Sequence, residues 1–171
     1  DTNPGIIGVV ADIIKVEKKY ETAIETALGG SIQNIVTDNE ETAKGMISFL
    51  KQTKSGRATF LPLNSIKNAQ EFRQKEALKE PGVLGLAHTL VHTDEKYGDV
   101  AKSLLGRIVV VDHVDHATQL ARKFSYSLRI VTLEGESLSP GGSISGGAFK
   151  NSSNLLGRRR EIEELEWKVK A

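Results

Sequence analysis

The segment with the most distinctive chemistry is a glycine-rich loop at residues 140–147, which holds four glycines within seven residues. It begins like a phosphate-binding loop, but Gly147 stands where that motif requires a lysine. A nucleophile elbow needs a serine flanked on both sides by glycines, and Ser143 and Ser145 each lack one of them. The loop is therefore predicted to let another backbone approach closely, or to adopt positive φ, and not to bind a nucleotide or perform catalysis.

Four histidines are the candidates for a metal site. Two lie four residues apart in or just after a predicted strand, and two lie at a predicted helix start beside two aspartates. No third ligand follows at a convincing spacing, and the H-E-x-x-H motif is absent. We interpret them as surface or helix-start residues, and predict neither a metal nor a cofactor. The residues concerned are His88, His92, Asp112, His113, Asp115 and His116.

A local cationic cluster follows the glycine loop and consists of Lys150, Arg158, Arg159 and Arg160. Three arginines at the start of a helix are unfavourable for the helix dipole, which suggests contact with a polyanion. The alternative is pairing within the helix, of the second and third arginines with glutamates four residues later. A second basic surface is possible over 51–79, where seven Lys/Arg and two Asp/Glu give a net charge of +5.

The whole chain bounds these possibilities. It has 171 residues, 39% of them hydrophobic and 26% charged, which is ordinary for one globular domain or two small ones. The absence of cysteine excludes disulfides and thiolate metal sites, and fits a cytoplasmic protein. The net charge of +1 argues against a strongly basic nucleic-acid binder. No apolar run is long enough to span a bilayer.

An internal repeat organises these residues. A glycine, a tyrosine and a glycine recur at an offset of 77, and after the second glycine the offset becomes 74. Each copy is expected to form strand, helix, strand, helix, strand, with first strands over 7–14 and 84–91. The repeat therefore predicts two similar α/β lobes related by a pseudo-twofold axis. The matched residues are Gly8, Tyr20 and Gly29 with Gly85, Tyr97 and Gly106, and the second-helix faces are Ala43/Met46/Ile47/Leu50 and Ala117/Leu120/Ala121/Phe124.

The predicted organisation has five parts. A capping box of Asp38 and Glu41 is expected to open the second helix of the first lobe. Ile162, Leu165 and Val169 have the spacing of a coiled-coil seam, so we expect the last helix to be the start of a coil that continues in a longer protein. The parts are lobe 1 (5–61), a connector (62–82), lobe 2 with the glycine-rich edge (83–149), a linker (150–157) and the coil helix (158–171).

Several motifs in register resemble those of the hinge domain of bacterial-type structural maintenance of chromosomes (SMC) proteins. The resemblance runs from about residue 5 to the end of the chain. The stretches that carry it are KYETAIE at 19–25, ALG at 27–29, GRATFLPL at 56–63, RIVTLEG at 129–135, PGGSISGG at 140–147 and LLGRRRE at 155–161.

The resemblance implies an α+β fold of two lobes and a role as dimerisation hinge of a condensin-like protein in chromosome condensation and segregation. Two hinges would join head to tail, lobe one of each meeting lobe two of the other. Basic residues near the hinge–coil junction would contact DNA weakly and without sequence specificity. The protein would be cytoplasmic and nucleoid-associated, without membrane, cofactor or small-molecule substrate. The implied interface residues are Gly141, Gly142, Ser143, Ile144, Ser145, Gly146 and Gly147.

Two other functions compete with that of a hinge: a small enzyme or nucleotide binder, and an autonomous DNA-binding module. A small enzyme or nucleotide binder would need a lysine after the glycines or a base beside the serines, and neither is present. An autonomous DNA-binding module would need a groove-reading motif and a larger positive charge. ATPase motifs are absent from these residues, so the chain is not expected to be an enzyme.

Overall fold

The computed structural model describes residues 5–67, 70–147 and 155–170. They form an α+β fold, as predicted. The first half contains β1 (Ile6–Val9), α1 (Val10–Ile13), β2 (Lys15–Val16), α2 (Glu21–Leu28), β3 (Ile35–Thr37), α3 (Glu40–Thr53) and β4 (Phe60–Pro62). The second half contains β5 (Val83–Leu86), β6 (Val91–His92), α4 (Gly98–Leu105), β7 (Ile108–Val111), α5 (Val114–Lys123), β8 (Arg129–Thr132), β9 (Ser137–Leu138), β10 (Ile144–Ser145) and α6 (Leu155–Lys170).

Two sheets and a two-stranded ribbon make up the strand framework. The first sheet has the order β1-β3-β4, and the second has the order β10-β9-β8-β7-β5. Each sheet contains one parallel pair, β3 with β4 and β7 with β8. The first strand of each half, β1 or β5, runs antiparallel to its neighbour β3 or β7. The second sheet is therefore the first one extended by the hairpin of β9 and β10.

The two halves meet around a local twofold axis. Helix α2 runs over Glu21–Leu28 and helix α4 over Gly98–Leu105, so both bounds of α4 repeat those of α2 at the predicted offset of 77. The ribbon of β2 and β6 pairs Lys15 with His92, which are equivalent at the same offset. Antiparallel pairing of two equivalent residues places the axis through that pair.

Buried side chains form two clusters. The first lies where the halves meet and includes Ile14, Ile24, Leu105 and Leu156. The second lies under α5 and includes Leu120, Ile130 and Leu138 together with two residues of the connector, Phe72 and Ala77. The connector is thus packed into lobe 2, and a short 3₁₀ helix runs over Lys75–Lys79.

The predicted first strands are wrong in extent. The chain leaves the sheet after β1 and makes a helical turn over α1 before pairing again as β2, and the second half does the same with a 3₁₀ turn over Ala87–Leu90. An apolar run has no period that separates a strand from a buried helical turn. The turn delivers Val10 and Ile14, which are 0% and 1% exposed, to the core between the halves.

Three boundaries also differ from prediction. Strand β4 reaches Pro62, one residue beyond the expected end of lobe 1. The final helix already includes Leu155, before the predicted start at 158, and Leu156 is buried in the core between the halves. Helix α3 is capped by Asn39, whose side chain accepts from the backbone N–H of Thr42 at 3.0 Å, so the predicted cap is one residue too early.

Candidate functional site

The glycine-rich loop forms the outer strand of the second sheet. Ile144 pairs with Leu138 of β9, and the turn before it is closed by a hydrogen bond from the Gly142 N–H to the Ser139 carbonyl at 3.0 Å. The Gly141 N–H donates to the Tyr126 carbonyl at 2.8 Å and ties this turn to the segment before β8. Gly141 and Gly142 have φ of +99° and +106°, a backbone region that other residues rarely adopt. The prediction of positive φ in this loop therefore holds at these two glycines.

In the described part of the chain, strand β10 presents an open edge. It is the last strand of its sheet there, and the side chain of Ile144 is 56% exposed. The glycines after it differ from each other. Gly147 has φ of +136°, whereas Gly146 lies against Glu136, where an added Cβ would come 3.0 Å from the Cγ atom. An unpaired strand edge with an exposed apolar side chain is a template for pairing with another strand.

A second open surface lies on lobe 1, along helix α3 beside β4. Of the predicted apolar face of α3 only Ala43 is buried; Met46 and Leu50 are half-buried and Ile47 is 40% exposed. Phe49, beside this face, is 54% exposed. At the positions of α5 equivalent to Met46 and Ile47, Leu120 and Ala121 are 2% and 5% exposed. The same helix face is thus covered more completely in lobe 2 than in lobe 1.

The difference between the lobes has a structural cause. In lobe 2, β9 pairs with β8 and places Leu138, 3% exposed, in the cluster that covers α5. In the described part of lobe 1, the sheet ends at β4, so no strand occupies the corresponding place. The open edge of β4 and the open face of α3 are therefore one continuous surface.

Helix α6 is anchored on lobe 1 by charge as well as by Leu156. The Arg160 guanidinium donates from Nε to Glu21 Oε2 at 2.5 Å and from Nη1 to Glu164 Oε1 at 2.8 Å. The Glu21 side chain is only 8% exposed, and that of Arg160 is 21% exposed. Hydrogen bonding to Glu21, with Glu164 second, holds the pKa of Arg160 above its ordinary value. Lys15 also pairs with Glu163.

The predicted DNA-contact residues have different outcomes. Lys150 lies outside the described residues, and only the helical backbone is described for Arg158 and Arg159. Arg160 forms the predicted pair with Glu164, and also pairs with Glu21, which the sequence analysis missed. No local signal connects residues 139 positions apart, so this partner could be found only from the fold.

A basic cleft lies at the other end of α2. This cavity of about 920 Å³ is lined by Leu28 and Leu104 from the ends of α2 and α4, and by three arginines, Arg73, Arg107 and Arg129. The connector crosses the cleft and is held there by a hydrogen bond from Gln74 to Ser127 at 3.1 Å and one from Arg107 to Gln70 at 2.8 Å. Arg73 belongs to the second basic surface predicted from sequence.

Within residues 5–67, 70–147 and 155–170, no helix has the length and apolar character needed to cross a membrane.

Comparison with known proteins gives a consistent result. The family model for the SMC proteins Flexible Hinge Domain matches residues 3–121. Chromosome partition protein Smc of Desulfitobacterium hafniense is 48% identical over 94% of this chain, and that of Bacillus subtilis is 47% identical over 94%. These alignments cover 13% and 14% of the two relatives, so the chain spans about one seventh of their length.

Solved structures agree with the sequence relatives. The crystal structure of an asymmetric dimer of the Geobacillus stearothermophilus SMC hinge domain matches with a TM-score of 0.88 and 43% identity, over 98% of this chain and 68% of that one. The Pyrococcus furiosus Smc hinge domain with an extended coiled coil matches with a TM-score of 0.71 and 34% identity, over 99% and 62%. On the family model, the relatives and the fold together, this chain belongs to the SMC flexible hinge domain family.

Proposed function

We propose that this chain is the dimerisation hinge of an SMC protein, and that it joins two such chains for chromosome condensation and segregation. The relatives are named chromosome partition proteins, and one structural neighbour is described as a dimer of its hinge domain. The single observation that supports this most directly is a pair of unlike open edges in one chain, β10 on lobe 2 and β4 on lobe 1.

These edges fit each other across two copies. If β10 of one chain pairs with β4 of its partner, the two sheets become one sheet in the order β1-β3-β4 followed by the partner's β10-β9-β8-β7-β5. The same contact then forms a second time, related by the twofold axis of the dimer, so the assembly closes. This arrangement matches the expected meeting of lobe one with lobe two and is a form of strand addition.

Lobe 2 provides a template for the register of this contact. Ile130 of β8 pairs with Leu138. The residue of β4 equivalent to Ile130 is Phe60, because the two pair with Val109 and Ile35, which are themselves equivalent at the offset of 74. In the dimer, an Ile144 from the second copy would therefore lie opposite Phe60. This Ile144 would cover Ile47 of the first copy, in the way that Leu138 covers α5 within one chain.

The glycine-rich edge supports close approach at this contact. The proposed interface residues on lobe 2 remain Gly141, Gly142, Ser143, Ile144, Ser145, Gly146 and Gly147. Among the residues that the structure describes, none has an atom within 4 Å of a Cβ added at Gly141 or Gly147. The described part of the chain therefore leaves space at these two positions for another backbone.

A charge on the open edge tests this mode of dimerisation. Ile144→Lys should convert the dimer into a monomer by light scattering at tens of micromolar, because an edge lysine opposes strand addition. The matched control is Leu84→Lys, which places the same charge on β5, at the opposite edge of the same sheet, where Leu84 is 39% exposed. Equal effects of the two substitutions, or a monomeric parent, would contradict the proposal.

A mixing experiment tests which edges meet. Ile144→Lys impairs β10, and Ile47→Lys impairs the surface of lobe 1. Each variant alone has two defective contacts per dimer, but an equimolar mixture can form a dimer with one intact contact. The mixture should therefore dimerise more tightly than either variant alone. If β10 instead paired with β10, mixing would restore nothing.

We further propose weak, salt-sensitive and non-specific DNA contact near the hinge–coil junction, by Lys150, Arg158 and Arg159. Arg160 is excluded from this set, since its guanidinium is occupied by Glu21 and Glu164. Phosphate contacts alone would give a Kd of about 10⁻⁴–10⁻⁶ M at physiological salt. The basic cleft of Arg73, Arg107 and Arg129 is the competing surface.

Gel shifts at low and moderate salt separate the two surfaces. Arg158→Glu with Arg159→Glu tests the junction, and Arg73→Glu with Arg107→Glu tests the cleft. Loss of the shift in the first variant alone supports the junction, and loss in the second alone moves the site to the cleft. Absence of any shift with the parent at low salt would refute DNA binding by this chain. We expect the hinge to have no catalytic activity, and its protein to be cytoplasmic and nucleoid-associated.

A further inference from the structure

Two imidazoles and a carboxylate converge at the start of helix α5. His116 Nδ1 lies 2.8 Å from Oδ1 and 3.1 Å from Oδ2 of Asp112, and His113 Nε2 lies 3.9 Å from Asp112 Oδ2. One donor atom from each of the three side chains lies within 4.8 Å of the others. Asp112 is the third ligand that the sequence analysis did not identify, because it immediately precedes one of the histidines.

The two rings lie side by side. Their centroids are 4.2 Å apart with an interplanar angle of 25°. The side chains of His113 and His116 are 47% and 30% exposed, and that of Asp112 is 34% exposed. The donors are therefore accessible to a solvated ion without any opening of the fold.

Lobe 1 shows what this position looks like when it serves only to start a helix. Asp38, Asn39 and Thr42 are the residues equivalent to Asp112, His113 and His116, at the offset of 74. There Asn39 caps α3, and the Thr42 hydroxyl donates to Asp38 at 2.7 Å. In lobe 2 both polar residues are replaced by histidine, and α5 begins without a side-chain cap.

We propose that Asp112, His113 and His116 form a binding site for a divalent transition metal ion, with Zn²⁺ as the best match to the donors. Two imidazoles and one carboxylate, with a fourth position open to water, are a donor set that zinc accepts. The lobe comparison supports the proposal, because both substitutions relative to lobe 1 add a metal-ligating group and together they remove a helix cap.

Metal binding requires the exposed side chains to rotate. Bonds of about 2.0–2.1 Å in a tetrahedral site place donors about 3.3 Å apart. The observed separations from Asp112 lie on both sides of that value, and all three donor atoms lie within 4.8 Å of one another. Because an imidazole nitrogen binds a metal in the plane of its ring, the two stacked rings must also turn away from each other, and their exposure leaves room for this rotation. The carboxylate also supplies negative charge where the start of α5 alone would repel a cation. The Asp112 backbone is held by its N–H, which donates to the Gly82 carbonyl at 2.9 Å.

The test is titration of the chain with ZnCl₂ by isothermal calorimetry, paired with thermal unfolding. The decisive variant is His113→Asn with His116→Thr, which writes the residues of lobe 1 into lobe 2 and should give α5 the side-chain cap that Asn39 gives α3. The matched control is His92→Asn, which removes an exposed histidine outside the cluster. Protein concentration is held constant so that dimerisation does not change between samples.

The parent should bind one Zn²⁺ per chain, and metal at about a hundred times its Kd should raise Tm by roughly 5–10 °C. Binding should weaken at least about tenfold in the double variant and stay unchanged in His92→Asn. Absence of binding by the parent, equal binding by the double variant, or equal loss in the control would each overturn the site. Circular dichroism of the double variant, expected to match the parent, separates loss of ligands from loss of fold.

Discussion

One of the contacts that attach helix α6 to lobe 1 is the largely buried ion pair of Arg160 with Glu21, and its removal should destabilise the chain more than removal of an exposed ion pair would. Replacing Arg160 with methionine leaves the Glu21 carboxylate, 8% exposed, without its cationic partner. Breaking a fully buried pair costs about 3–5 kcal/mol. Because Arg160 is itself 21% exposed, water can partly solvate the remaining charge, and we expect about 2–4 kcal/mol.

This cost should be recovered when the other charge is removed as well. In the double variant Glu21→Met with Arg160→Met, no charge is left unpaired, and replacing a buried pair with apolar residues is often neutral in stability. We expect the double variant to lie within about 1 kcal/mol of the parent. Glu164→Gln is the matched control, since Glu164 is 58% exposed and should contribute less than about 1 kcal/mol.

Urea unfolding followed by far-UV circular dichroism, at one fixed protein concentration, measures all four proteins. A loss of about 2–4 kcal/mol corresponds to a fall in Tm of roughly 4–16 °C for a chain of this size. The reasoning would be refuted if Arg160→Met cost no more than Glu164→Gln, or if the double variant were less stable than Arg160→Met. Either result would mean that Glu21 is solvated and that packing alone holds α6.

Three further predictions concern the core, the glycines and pH. Leu156→Ala should cost about 2–5 kcal/mol in the free energy of unfolding by urea titration, since Leu156 is 3% exposed in the core between the halves; a loss below about 1 kcal/mol would show that α6 is not packed there. Alanine at all four interface glycines, Gly141, Gly142, Gly146 and Gly147, should weaken dimerisation by about 1 kcal/mol or more per strained site, as measured by sedimentation. The circular dichroism spectrum should stay unchanged, and an unaltered dimer would exclude the role of these glycines. Burial, and to a lesser extent the charge of Lys102, holds the pKa of His88 below its ordinary value, so the folded state resists protonation of this side chain. The free energy of unfolding should therefore fall as pH drops from about 7.5 to about 5.5. His88→Gln should reduce this dependence on pH, and an unchanged dependence would contradict the assignment.

Features that depend on neighbours in sequence were predictable. The helical periodicity that begins at Tyr20 marks α2, which the structure places over Glu21–Leu28. The glycine-rich composition at 141–147 predicted a backbone with positive φ, because only glycine adopts that region without strain. The motifs in register identified the family, since each of them combines several residues whose order is preserved.

Features that depend on burial were predicted less well. The faces of α3 and α5 have the same periodicity, yet three of the four residues on the face of α5 are buried and only one of the four on the face of α3 is buried. A periodic face shows that a helix is amphipathic, but not whether its own chain supplies the cover. The hairpin of β9 and β10 follows only the second copy, and its position beside β8 decides which lobe is covered.

The sequence by itself determined the α+β class, most of the element types and the hinge family, because these follow from local patterns and ordered motifs. Only the tertiary structure decided the partners of individual side chains. Glu21 is a charged residue at the start of a helix, a position that is usually exposed. It is buried because α6 packs against it, and its partner Arg160 lies 139 positions further along the chain. Asp112 became a candidate ligand because the turn into α5 directs its carboxylate between two imidazoles. Such contacts are set by where distant elements pack and by how one turn is folded, and neither is encoded in residue spacing alone.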